Sequence, residues 1–189
     1  IDLVAAHPAC GVCLMHMRGE PRTMQRAPDY GDVVGEVAAF LADRAAAIVA
    51  RGVAAERIVL DPGIGFGKSA EHNVELLRRQ RELLALGLPL LIGWSRKSTL
   101  GALTGRAVQD RLAASLAAAL AAVERGASVL RVHDVAPTVD ALRIWRAAGE
   151  PRRVQDGEVG GRQCVTQRAQ PSSCVATLDP GIDHSAERS

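Results

Sequence analysis

Aromatic side chains are scarce in this sequence: two Trp, two Phe and one Tyr among 189 residues. With 48% hydrophobic residues the chain can still bury a core, but from Ala, Leu, Val and Ile. That composition suits helices packed on a buried parallel sheet and argues against a β-sandwich or a Trp-rich interaction module. Long apolar runs are missing too, none reaching the roughly 18 residues of a membrane span. No basic stretch followed by an apolar segment opens the chain, so we expect a soluble, cytoplasmic protein with no membrane partner. Neither sign of charge is in excess. The formal net charge is +2 with the basic residues scattered, which leaves no tract for a polyanion and no expected nucleic-acid partner. Cysteines number four: Cys10, Cys13, Cys164 and Cys174. Cys10 and Cys13 have C-x-x-C spacing, but the other pair lies in a different compositional region with nine residues between them. Zinc is therefore not expected; Cys13 reads as an apolar strand residue and Cys10 as a loop residue. The first residue is Ile1, from which we expect further chain upstream.

What is present is an alternation. Four short apolar runs, at 12–15, 58–60, 88–92 and 129–132, each lead into a polar or glycine-rich loop and then a helix-like stretch. In the first such stretch Val34, Val37, Leu41 and Ile48 share a face, with Gly52 placed to end it. The second is predicted over 70–86, with Val74, Leu77 and Leu84 on one side and Gly87 closing it. A short turn over 98–103 precedes a predicted helix over 108–125 ended by Gly126. In the last, Pro137 stands at the expected first helical position, followed by apolar Val139, Leu142 and Trp145 and by Gly149. The pattern is βα four times, with strands apolar throughout, as expected when both faces of a parallel sheet are covered. Either an open doubly wound sheet or a closed barrel uses such units. We expect one partial domain over 1–149. From 150 to 189 the sequence is polar and sprinkled with Gly and Pro, and reads as an irregular, mostly disordered tail. Its Asp179-Pro180-Gly181-Ile182 repeats Asp61-Pro62-Gly63-Ile64, but with no strand expected before it we treat the repeat as coincidence.

Parallel βα units point all strand C-termini to one end, where sites are built. Here the four strand ends carry Met15-His16-Met17-Arg18-Gly19, then Asp61-Pro62-Gly63-Ile64-Gly65-Phe66-Gly67-Lys68, then Gly93-Trp94-Ser95-Arg96-Lys97-Ser98, then Arg131-Val132-His133-Asp134. A lone His16 is more often a hydrogen-bonded core histidine, and one glycine-rich loop is often only a tight turn. Four successive polar strand ends would be costly for a core that needed only packing. The glycine spacing excludes the common phosphate loops: Pro62 stands where a P-loop needs its first glycine, and Gly63, Gly65 and Gly67 miss the dinucleotide spacing. Glycines that let the backbone approach a flat ligand, beside Asp61 accepting two adjacent N–H groups, would select an amidine-like edge. Lys97 could reach ring acceptors. Arg131 and His133, two apart on a strand, would face the same way as an anion site.

These four segments, including Pro21, Thr23, Met24 and Gln25 after the first, resemble in order the fifth to eighth strand motifs of the dihydropteroate synthase family, over about residues 3–149. The resemblance implies the C-terminal half of a (β/α)8 TIM barrel and a transferase joining hydroxymethyl-dihydropterin pyrophosphate to p-aminobenzoate. It implies Asp61 and Lys97 on the pterin, with Met15, Gly65 and Phe66 lining its pocket, and Ser95 and Phe66 towards p-aminobenzoate. Arg131 would stack on the pterin and hold the pyrophosphate with His133, which makes Lys97, Arg131 and His133 the expected catalytic set. The Mg²⁺ that assists the family would take its ligand, an asparagine, from the first four strands, so no metal ligand is expected here and the fragment alone is expected to be inactive, with unpaired sheet edges. A homodimer is expected by analogy. Two other readings remain: a pterin-binding methyltransferase barrel, disfavoured by Ser95, Arg96, Lys97, Arg131 and His133, and a non-catalytic remnant of a truncated reading frame.

Overall fold

The computed structural model describes residues 1–19, 29–149 and 175–178. A short helix α1 (Asp2–Ala5) precedes β1 (Gly11–Met15), and α2 (Val33–Val49) follows it. The Asp32 side chain accepts from the Val34 amide at 3.2 Å, which fixes the start of α2. From there Val33, Val34, Val37, Leu41, Ala45 and Ile48 lie buried along one stripe. After a 3-10 turn at Ala55–Arg57 comes β2 (Ile58–Asp61), then α3 (Ala70–Arg78) and a 3-10 segment Gln80–Leu86. The chain goes on through β3 (Leu91–Ile92), α4 (Ser98–Thr104), a 3-10 turn Val108–Asp110, α5 (Leu112–Glu124), β4 (Val129–Leu130) and α6 (Val135–Ala147).

All strand pairs are parallel. In register, β1 pairs with β2, with Met15 beside Asp61, and β3 pairs with β4. A bridge from Leu60 to Leu90 and the Leu60 amide bonded to the Pro89 carbonyl at 2.9 Å join the two pairs. The first four strands therefore stand side by side in chain order without reversal. Val12, Leu14, Ile58, Leu60, Leu90 and Ile92 bury against the α2 stripe and against Leu76, Leu83 and Ala122, so one core runs beneath the row.

Several expectations need correction. The second helix is not continuous over 70–86: after Arg78 it tightens into the 3-10 segment. Its buried stripe is Asn73, Leu76, Gln80 and Leu83, while Leu84 is exposed. The cause is polar: the Gln80 amide nitrogen donates to the carbonyls of Ala122 (2.9 Å) and Arg125 (3.1 Å), satisfying the end of α5 from inside the core. The stretch over 108–125 splits into a 3-10 turn and α5, and 98–104 forms a true helix. Helix α6 starts at Val135, so Pro137 sits two residues into its first turn. The fourth strand is short, and Val129 in it is 44% exposed, unlike a strand covered on both faces. Within the tail, Val175–Leu178 forms β5, parallel to β1, with Leu178 beside Leu14. A strand does therefore precede the second Asp-Pro-Gly-Ile segment, and β1's outer edge is paired, because its unpartnered N–H and C=O groups accept a Val-Ala-Thr-Leu segment as a further strand. The other tail residues, Cys164 and Cys174 among them, and Pro21, Thr23, Met24 and Gln25 lie outside the described residues.

Candidate active site

The strand ends open on one side. Asp61, the last residue of β2, is 4% exposed, and its Oδ1 accepts the Gly63 amide at 2.7 Å. Burial pushes its carboxyl above the ordinary aspartate range, while the Gly63 bond and the charges of Arg131, Lys97 and Lys68 pull the other way. Met15, paired with Asp61 across the sheet, is partly exposed beside it. Cys13, two residues back, is a buried free thiol that desolvation and Asp61 push up to about 11.

The loop after β2 is shaped by contacts that only glycine permits. A Cβ on Gly63 (φ +68°) would lie 1.8 Å from the His16 carbonyl oxygen, and one on Gly67 (φ +62°) 2.2 Å from that of Arg18. The Gly65 amide donates to Asn73 Oδ1 at 2.8 Å, and Asn73 in turn donates to Thr99 Oγ1 at 2.9 Å. Lys97 crosses this loop: its stem lies 3.3 Å from where a Gly65 Cβ would be, its Nζ donates to the Ile64 carbonyl at 2.7 Å, and it sits 4.2 Å from the Phe66 ring centroid. Burial and Arg131 lower its ammonium to about 8. Gly65, Phe66 and Lys97 thus form one surface.

Arg131 and His133 lie just past β4 rather than within it. They reach positions two residues apart on the neighbouring segment. The Arg131 guanidinium lies on Gly93, 3.2 Å from where a Cβ would be. His133 donates its amide to Ser95 Oγ (3.1 Å), and its Nδ1 is 3.0 Å from the same oxygen. Ser95 is 4% exposed, so its hydroxyl serves the imidazole. Next to it the indole N–H of buried Trp94 has no hydrogen-bond partner among the described residues. The eight expected residues thus sit at or just past the C-terminal ends of β1 to β4, and among them the Asp61 carboxyl feels the charges of Lys97 and Arg131, and of Lys68 behind the loop.

Sequence reasoning missed the groups that set this geometry. Lys68, compared only with a P-loop lysine, is 2% exposed and bonds His16 Nδ1 at 2.8 Å. Arg96 adopts φ +58°, a strained value for a residue with a side chain. It is held by Asp134 at 2.5 and 3.1 Å and by Ser115 Oγ at its amide, 3.0 Å. Arg111 donates to the Arg96 carbonyl at 3.1 Å and crosses Gly101 where a side chain would stand. Asn73 had a usable signal, as a polar residue in a core stripe; Arg111 had none. Among the described residues no group of three His, Cys, Asp or Glu side chains could hold a metal ion. A cavity of about 520 Å³ opens elsewhere, between the start of α2 and α3, among Asp32, His72, Arg78 and Arg79. The Asp32 and Arg79 charges in it are already paired with each other.

Parallel βα units with one buried carboxylate and several cations at the strand ends define an α/β protein of the kind that carries its polar groups at the C-terminal ends of its strands. Residues 2–133 match the family described as pterin binding enzyme, and the chain belongs to that family. It is 55% identical over 153 residues to the dihydropteroate synthase of Neisseria meningitidis serogroup B, covering 79% of this chain and 54% of that protein. To the Escherichia coli dihydropteroate synthase it is 48% identical over 143 residues, 76% of this chain and 51% of the relative. Among solved structures, dihydropteroate synthase from Stenotrophomonas maltophilia, with imidazole bound in its active site, superposes with a TM-score of 0.75 at 53% identity, over 78% of this chain and 56% of that one. The Xanthomonas albilineans enzyme in complex with 7,8-dihydropteroate gives 0.72 at 49% identity, over 78% and 53%. The chain spans about half the length of the curated relatives it matches.

Proposed function

We propose that this chain supplies the pterin and pyrophosphate side of a dihydropteroate synthase site, as the C-terminal half of a (β/α)8 barrel. The observation that carries the reading is the single buried carboxylate at the tip of β2 with Lys97 and Arg131 acting on it across the mouth. Four parallel strands adjacent in chain order support the barrel half, since a doubly wound sheet reverses its order among its βα units; β5, which returns to β1, belongs to the tail and not to those units. Asp61 would accept paired N–H groups from the amidine edge of a pterin. Lys97 would donate to its ring acceptors over the surface made by Gly65 and Phe66, with Met15 alongside. Arg131 and His133, the latter oriented by Ser95, would hold the pyrophosphate. In the condensation the p-aminobenzoate amine forms the new C–N bond at the pterin methylene as its C–O bond to pyrophosphate breaks. The leaving group departs with the bonding pair, and the amine loses its proton. Cations fixed beforehand around the leaving oxygens lower that barrel-mouth barrier without reorganising at the moment of reaction.

The Mg²⁺ implied by the family finds no acidic, His or Cys cluster among the described residues, and no step is assigned to it. A homodimer and a cytoplasmic location accompany the reading by analogy with the family. The test is titration of the chain with hydroxymethyl-dihydropterin pyrophosphate. Lys97→Ala and Arg131→Ala should each weaken binding by about tenfold or more, and affinities equal to the parent's would remove the site assignment. Dihydropteroate formation by these 189 residues alone is expected to be absent or weak.

A further inference from the structure

Lys68 is the buried cation for which the reaction above has no use. Its Nζ lies 2.8 Å from His16 Nδ1, 3.1 Å from the Gly63 carbonyl and 3.1 Å from the Phe66 carbonyl. An ammonium has three N–H groups, and three acceptors surround this one. At 2% exposure no bulk water can replace it. The bonds close a ring: the Asp61 carboxylate takes the Gly63 amide at 2.7 Å, the Gly63 carbonyl takes Lys68, Lys68 reaches His16, and the His16 amide returns to the Asp61 carbonyl at 2.9 Å. Lys97 holds the carbonyl between, that of Ile64, from the other side. The 61–68 loop is thus fastened by two lysines, one facing the mouth and one behind it.

Resting on the pterin reading, we propose that Lys68 is a positioning residue: from behind the loop its ammonium sets the backbone of Gly63 to Phe66, and with it Asp61, in the shape that receives the flat ring. His16 must then offer a lone pair at Nδ1. Burial and the neighbouring ammonium lower its imidazole to about 4, so it stays an acceptor at neutral pH, and the Phe40 ring meets it edge-on at 4.9 Å. The charges facing Lys68 are Asp61 from β2, Lys97 from the segment after β3, and Arg18 from the segment after β1. Burial lowers Lys68 itself to about 7, so the tripod loses one donor on the alkaline side.

The experiment titrates the 189-residue chain with 6-hydroxymethyl-7,8-dihydropterin, which lacks the pyrophosphate, from about pH 6 to about pH 9. Lys68→Met should weaken binding by about tenfold or more while circular dichroism shows a cooperative melt. In the parent and in Lys97→Gln the affinity should fall as pH rises through about 7, and in Lys68→Met that limb should vanish, leaving only the fall near 8 that belongs to Lys97. Binding by Lys68→Met within about twofold of the parent, with the ligand lost in Asp61→Asn, would overturn the inference and leave the pterin reading standing. Disappearance of the limb at about pH 7 in Lys97→Gln would overturn it equally, and decides the matter even where Lys68→Met does not fold. A parent chain that fails to bind the probe would take down the pterin reading and the inference together.

Discussion

A Cβ on Gly63 would meet the His16 carbonyl oxygen in a backbone conformation that side chains avoid, whereas Gly87 has a similar φ of +70° with nothing within 4 Å. The pair separates two costs. Gly87→Ala should lower stability by about 1 kcal/mol, the penalty of the left-handed conformation, and Gly63→Ala by several times as much or by loss of folding, with urea unfolding as the measurement. His16 makes a second residue-scale prediction. Its folded-state pKa of about 4 lies below the ordinary 6.5, so between those values the unfolded chain binds the proton and the native one does not. Stability from this group is therefore full above pH 6.5 and falls with pH down to about 4, by on the order of 3 kcal/mol. Asp61, with its carboxyl held high, works in the opposite direction at the acid end. Unfolding followed between those pH values should show a smaller acid loss in His16→Gln than in the parent; equal losses would contradict the assignment.

At the scale of elements, Gln80 ties the 3-10 segment after α3 to the last carbonyls of α5. Gln80→Ala should cost about 2–4 kcal/mol, from the cavity and from the amide donor lost to the Arg125 and Ala122 carbonyls, the latter keeping the Arg125 and Ala127 amides, and Gln80→Glu should also destabilise by bringing a carboxylate against them. Thermal melts decide both. This is also where sequence reading stopped short. Apolar periodicity found the buried face of α2, naming Val34, Val37, Leu41 and Ile48 on it, because that stripe is Val, Leu, Ala and Ile throughout. It picked the wrong face of α3 because Asn73 and Gln80 take core positions that a search for apolar residues passes over. The strand tips were legible as motifs, so Asp61, Lys97, Arg131 and His133 could be placed at strand ends in advance, while what they bind there is a proposal. Their supports could not. Arg111 and Arg96 act through backbone carbonyls and a strained φ, which leave no mark on residue type. The bond from the Ser95 hydroxyl to His133 was likewise not legible.

For the whole molecule, one group of exposed apolar side chains lies at the β4 end of the row: Val129 is 44% exposed, and Val135 and Ile144 on α6 are 61% and 73% exposed. An open strand edge beside such groups favours self-association. The chain should sediment as concentration-dependent oligomers, and Val129→Lys with Ile144→Glu should shift it towards monomer without changing its circular dichroism; monomeric parent protein at all concentrations would contradict this. The opposite end of the row is closed by β5, and the order of the strands bears on how the polypeptide is made. Strands β2, β3 and β4 each lie beside the one synthesised just before, so each of these βα units leaving the ribosome finds its neighbour already waiting. Among the described strands β5 alone must travel back across the finished row to β1, which makes it the last of them to dock and the first that a mechanical pull from its C-terminal side would peel away.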